Sequence, residues 1–184
     1  MEQQSDFDSL HGILPGKHFY QFYKGSDDFL CVMIPYFQTG LGKGEACLWL
    51  VSKRNGMHFS RVTAEGLISR FSDYDSSGQL VILSAEDWYL TDGFFDEEKA
   101  MSNAEQFVGK IKGQGFERFR IAGDIGGAVP RADWPKAEAY ERKISPWIKS
   151  RAVIALCAYP ILECTPSQTK GILDCHEDVL VGKL

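Results

Sequence analysis

Residues 40–45, GLGKGE, carry the glycines and lysine of a loop that cradles phosphate. Such a loop works only where it leaves a strand and opens a helix, so that backbone N–H groups and the positive helix end meet the anion. Here the glycines follow a helical segment and precede the strand-like run ACLWLVS, at the negative end of a dipole. GxxxxGK followed by Ser or Thr is absent from the chain. Gly40, Gly42 and Gly44 therefore read as helix-end and turn glycines needing unusual backbone angles. There is no GxSxG and no signposted Ser-His-Asp set, so catalysis finds little support.

His18, Cys157 and His176 are the residue types of a soft-leaning metal site. Against that, they have no close ligand spacing, and Cys157 lies within an apolar strand. The expectation is no metal and no cofactor, with His18 a hydrogen-bonded strand histidine or a ligand contact. Arg120 sits inside a strand between Phe119 and Ile121, and a buried guanidinium is costly unless paired. Glu141, Glu45 and Asp124 are its candidate partners. The pair Arg120–Glu141, tying FRIA to the helix of AYERK, is the one expected; direct contact of Arg120 with a ligand is the alternative.

The elements that must position these residues alternate between strand and helix. Strands are expected at 18–23, 46–52, 79–85, 116–123 and 152–160, with a last short one in DVLVG. The runs at 46–52, 79–85 and 152–160 are apolar throughout, as strands buried on both faces require. Helices are expected after GSDD, kinked at Pro35 and ending at Gly40 or Gly42. Others cover 57–72, start after Asp96, open at DWPKAEAY and run through PSQTKGILDCH. This pattern gives an α/β fold with a mainly parallel sheet and helices on both faces. Residues 1–16 read as a polar lead-in and 17–184 as one domain.

In such a sheet, ligands bind beyond the carboxyl ends of the strands. That rule selects Tyr23, Trp88, Tyr89, Asp124 and Tyr159, with His18 as a further lining residue. The loops 86–93, 123–128 and 159–164 are expected to bound one pocket for a mostly apolar small ligand. GDIGGAV leaves a strand and precedes a helix, and EDWYLTDGFF has the composition of an adaptable lid.

The chain has 184 residues, a net charge of -5 and five cysteines. The charge argues against nucleic acid or an anionic membrane as the main partner. An odd number of cysteines, partly in apolar runs and with no CxxC pair, reads as free thiols in a reducing compartment. The start MEQQSDFDSLHG is not a signal peptide, and no apolar run approaches a membrane span, so a cytoplasmic protein is expected.

GKHFYQFY, VMIPYFQTGLGKGEACLWLV, GFERFRIAGD, AYERKI, VIALCAYP and ILDCH, in this order, resemble the MEDS domain, the sensory domain of the methanogen and methylotroph dichloromethane-regulator family. The resemblance spans about residues 15–182. It implies a divergent RecA-like three-layer α/β domain that has lost its nucleotide loop and senses small molecules, including hydrocarbon derivatives, for regulators and histidine kinases. Tyr20 stands where the family often has a cysteine. The expected function is therefore a sensory module that binds a small ligand and acts through a separate regulator or kinase; a homo-oligomer is compatible with this. A degenerate nucleotide binder working by protein contacts and a small enzyme of unrecognised chemistry are the alternatives.

Overall fold

The apolar runs become the strands of one sheet. In the computed structural model, which describes Leu10 and residues 12–180, these are β1 (His18–Tyr23), β2 (Ala46–Val51) and β3 (Leu80–Ser84). β6 (Phe119–Gly123), β7 (Val153–Pro160) and β8 (Asp178–Val179) complete it, in the order β3-β2-β6-β7-β1-β8. Every adjacent pair is parallel. A separate antiparallel hairpin joins β4 (Leu90–Thr91) to β5 (Phe94–Phe95). The helices are α1 (Ser26–Gly42), α2 (Met57–Leu67), α3 (Phe71–Ser76), α4 (Ala85–Tyr89), α5 (Glu97–Gly113), α6 (Ile125–Ala128), α7 (Trp134–Ser150) and α8 (Pro166–Cys175).

Side chains alternate across the sheet, and each face is covered by its own helices. Cys47, Trp49, Val51, Ala122 and Leu156 pack with Phe29, Met33, Tyr36 and Phe37 of α1 and with Ala64 and Phe71 of α2 and α3. Leu48, Leu50, Phe119, Ala155 and Cys157 face the opposite way, toward Phe107, Val108 and Ile111 of α5 and Tyr140, Ile144 and Ile148 of α7. This is the expected three-layer α/β architecture. β2 and β7 are buried at every position, because each has a strand on both sides and helices on both faces.

Local chemistry sets the helix boundaries. Asp96 caps α5 by accepting from the Lys99 N–H at 3.0 Å. Thr165 and Gln168 form a reciprocal capping box at the start of α8. Pro135 lies in the first turn of α7, where its missing N–H costs nothing.

Several local expectations need correction. β3 is an edge strand rather than a fully buried one, and Leu83 is 39% exposed. Residues 57–72 form two helices, separated at Arg70, whose left-handed φ of 62° cannot continue a helix. The acidic and aromatic stretch 86–93 is a helix followed by a hairpin turn, not an irregular loop. Residues 26–42 stay helical through Pro35, and Gly25 caps them without a side-chain hydrogen bond. Of the three glycines at 40–44, only Gly44 has the left-handed angle, φ 73°. Gly40 is needed for another reason: a Cβ there would lie 2.7 Å from Arg120 Cδ and Nε. Most of the lead-in 1–16 lies outside the described residues; within it Leu10 is fully buried and the Gly16 N–H donates to the Val153 carbonyl at 2.7 Å. No helix among the described residues is long and apolar enough to cross a membrane.

Candidate functional site

Three buried polar centres occupy the middle of the molecule. The first surrounds Arg120, which points from β6 to the α1 face. Its Nε donates to Glu45 Oε2 at 2.6 Å, and a further nitrogen, Nη1, donates to the Tyr36 carbonyl at 3.2 Å. The guanidinium carbon lies 4.7 Å from the centre of the Tyr36 ring. The partner of Arg120 is thus Glu45, not Glu141. Glu45 stands just before β2, and β2 pairs with β6 so that Cys47 lies beside Arg120. Glu141 is on α7, on the opposite face of the sheet.

The second centre is Asp124, at the carboxyl end of β6. It accepts hydrogen bonds from Tyr23 Oη at 2.8 Å, Asn55 Nδ2 at 2.7 Å, the Ser52 hydroxyl and the Gly127 N–H. Burial pushes its pKa up, against the pull of these donors. The carboxylate is fully occupied in tying the ends of β1, β2 and β6 together. Gly126 and Gly127 serve this packing: a Cβ at Gly126 would lie 2.8 Å from Tyr159 Cα, and one at Gly127 2.6 Å from Asp124 Oδ2.

The third centre is built from His18 (β1), Cys157 (β7), Glu141 (α7) and His176, the residue after α8. Parallel pairing sets Tyr20 beside Cys157 and His18 beside Ala155, so His18 and Cys157 both face α7. His18 Nε2 lies 3.3 Å from Cys157 Sγ and 3.3 Å from Glu141 Oε2. His176 Nε2 is 3.7 Å from the same carboxylate oxygen, and the two imidazole centres are 4.2 Å apart. Tyr159 Oη donates to Glu141 Oε1 at 3.0 Å. Each imidazole is held from outside by its Nδ1, His18 on Ser145 Oγ and His176 on the Ile172 carbonyl, both at 2.7 Å. Burial lowers the His176 pKa to about 4, outweighing the attraction of Glu141, so the ring is neutral at neutral pH. Burial raises the Glu141 pKa, but His18, His176 and Tyr159 beside it bring it below the usual carboxylate range. The Cys157 thiol is pushed well up by burial and by Glu141 beside it.

Two cavities flank this centre. One lies between the sheet, α4, α5 and α7, lined by His18, Trp88, Tyr89, Tyr140, Ile144 and Cys157 among others. It is narrow, with a cavity volume of about 40 Å³. The second, under α7 and α8, touches Trp134, Glu141, Tyr159 and Cys175. Of the site residues expected from sequence, His18, Trp88 and Tyr89 meet at the first cavity, while Tyr159 lines the second. Tyr23 and Asp124 bond to each other and line neither; Arg120 lies across the sheet. Tyr140 and Ser145 were not anticipated, although the helical spacing of Tyr140, Ile144 and Ile148 already marks an inward stripe.

The sequence profile of the MEDS family, described as the methanogen/methylotroph, DcmR sensory domain, matches residues 17–177. The chain belongs to the MEDS family. No curated protein matches the sequence. The match covers every strand of this MEDS domain from β1 to β7 and all four residues of the third centre. A sensory or regulatory role follows from the membership.

Proposed function

We propose that this MEDS domain is a cytoplasmic sensor that holds a small, mostly apolar molecule in the cavity beneath α4, α5 and α7 and acts through a separate regulator or kinase. The observation that carries this reading is the lining: aromatic and aliphatic walls, with polar handles confined to a few groups such as His18, Tyr89, Tyr140 and Cys157. A mostly apolar wall with a few oriented polar groups suits a compact ligand of a few heavy atoms. The narrowness of the chamber favours small hydrocarbon derivatives over nucleotides. Ligand-observed NMR with a panel of halogenated and oxygenated short-chain hydrocarbons tests it. Binding is expected for the wild type and should be lost in Ala104→Leu, which fills the chamber from α5. Binding by neither protein, or equally by both, overturns the assignment.

A further inference from the structure

We propose that His18, Glu141, Cys157 and His176 form a tetrahedral site for a divalent transition metal, zinc above all. One donor atom from each residue lies within 4.8 Å of all the others. Around zinc, with bonds of about 2.0–2.3 Å, neighbouring ligand atoms of a tetrahedron stand roughly 3.3–3.8 Å apart. The separations here are 3.3 Å from His18 Nε2 to Cys157 Sγ, 3.3 Å from the same nitrogen to Glu141 Oε2, 3.6 Å from Sγ to that oxygen and 3.7 Å from His176 Nε2 to it. These four match edges of such a tetrahedron, and the remaining two pairs lie within 4.8 Å.

The proton positions carry the argument further. The Ile172 carbonyl can only accept, so His176 Nδ1 bears the hydrogen and neutral His176 presents a bare lone pair on Nε2. That Nε2 is buried and has no hydrogen-bond partner, and the side chain is 0% exposed. It is aimed at a carboxylate oxygen, which is also an acceptor. Ser145 Oγ lies within reach of two carbonyls, those of Glu141 and Cys175, and has one proton to give to either. When it gives that proton to either carbonyl, it accepts from His18 Nδ1–H, and in that tautomer His18 Nε2 also turns a lone pair inward. Two lone pairs, a carboxylate and a thiol converge with too few hydrogens between them. A cation resolves this, and each histidine already has the outer-sphere hydrogen bond that metal-bound imidazoles use. A divalent ion bound by a thiolate and a carboxylate is neutral overall, which suits a buried site. Four protein ligands leave no open position, so the ion is held rather than presented to a substrate. The ligands come from two strands, a helix and a helix end, which is why no ligand spacing shows in the chain.

The proposal does not rest on the apolar cavity binding a ligand. The purified full-length chain, kept from chelators, should carry about one zinc by mass-spectrometric metal analysis. Stripped protein titrated with cobalt(II) should develop the visible bands of tetrahedral cobalt and a thiolate-to-cobalt charge-transfer band. The Cys157 proton leaves to solvent as the Co–S bond forms. Cys157→Ser should lose the charge-transfer band, whereas Cys164→Ser should keep it. Ser145→Ala, which touches no metal, should weaken cobalt binding about 10–100-fold. Folded wild type that takes up no cobalt or zinc overturns the proposal, and so does a charge-transfer band surviving in Cys157→Ser. If His176→Gln does not fold, Ser145→Ala and Cys157→Ser still decide. Hydrocarbon binding lost in Ala104→Leu is a separate readout, so either reading can fail alone.

Discussion

Glu45→Gln should be among the most destabilising single-atom changes available in this protein. It replaces one carboxylate oxygen by NH2 and leaves Arg120 buried at 0% exposure without a counter-charge. A guanidinium does not give up its proton, so the penalty cannot be relieved by titration. Removing one partner of a buried pair costs about 3–5 kcal/mol. The Tyr36 carbonyl and ring remain beside Arg120, which places the loss toward the lower end. For a chain of this size, each kcal/mol lowers the melting temperature by about 2–4 °C, so the whole range is roughly 6–20 °C. Urea unfolding followed by circular dichroism measures it. An unfolding midpoint for Glu45→Gln within about 0.5 kcal/mol of wild type would refute this reasoning, because surface substitutions fall in that range.

Other outcomes follow from single contacts. Gly126→Ala brings a Cβ to 2.8 Å from the Tyr159 backbone, which cannot yield as a side-chain end would, and a loss of about 1–3 kcal/mol in chemical denaturation is expected. Asp133 accepts from Lys136 Nζ and the Phe95 N–H, which hold its pKa below the usual carboxylate value. Its contribution is present above the unfolded pKa of about 3.9 and lost as pH falls through the lower folded one, so Asp133→Asn should flatten the wild-type decline in stability below pH 4. All five cysteines are free, and thiol titration of denatured, unreduced protein prepared without oxygen should count five. With no lysine–hydroxyl pair to grip phosphates and magnesium, ATP turnover should stay at background in a coupled assay.

The strands were legible because strand-length apolar runs bounded by glycine and polar residues have few other homes. An edge strand was not, since QLVILSA has the same composition whether or not a neighbour covers its outer side. Arg120 shows the limit most clearly. Sequence identified a buried guanidinium in need of a carboxylate and named Glu45 among the choices, yet favoured Glu141, as a tie between FRIA and the helix of AYERK. What decides is that β2, not α7, lies on Arg120's face, and lateral strand order leaves no trace in local spacing. The third centre was half visible. His18, Cys157 and His176 were singled out by type, but the register of β1 on β7 and the position of the α8 end were needed to bring Glu141 among them. Asp124 was placed at a strand end correctly in kind; its donors Tyr23, Ser52 and Asn55 come from other strand ends and close it off.

β1 lies between β7 and β8, so among the described residues the strand made before all others in this sheet has the last two as its neighbours. At about 5–20 residues per second, synthesis of residues 24–160 takes roughly 7–27 s. Throughout that interval HFYQFY has no strand to pair with, and its aromatic side chains must be kept from other chains. The sheet can assemble from β2, β3 and β6 first, with a slot for β1 opening only when β7 docks. His18 thus reaches Cys157 at the close of folding rather than during it. Chains interrupted before residue 153 would display an unpaired aromatic strand, a form suited to chaperone capture or to adding onto a neighbouring sheet edge.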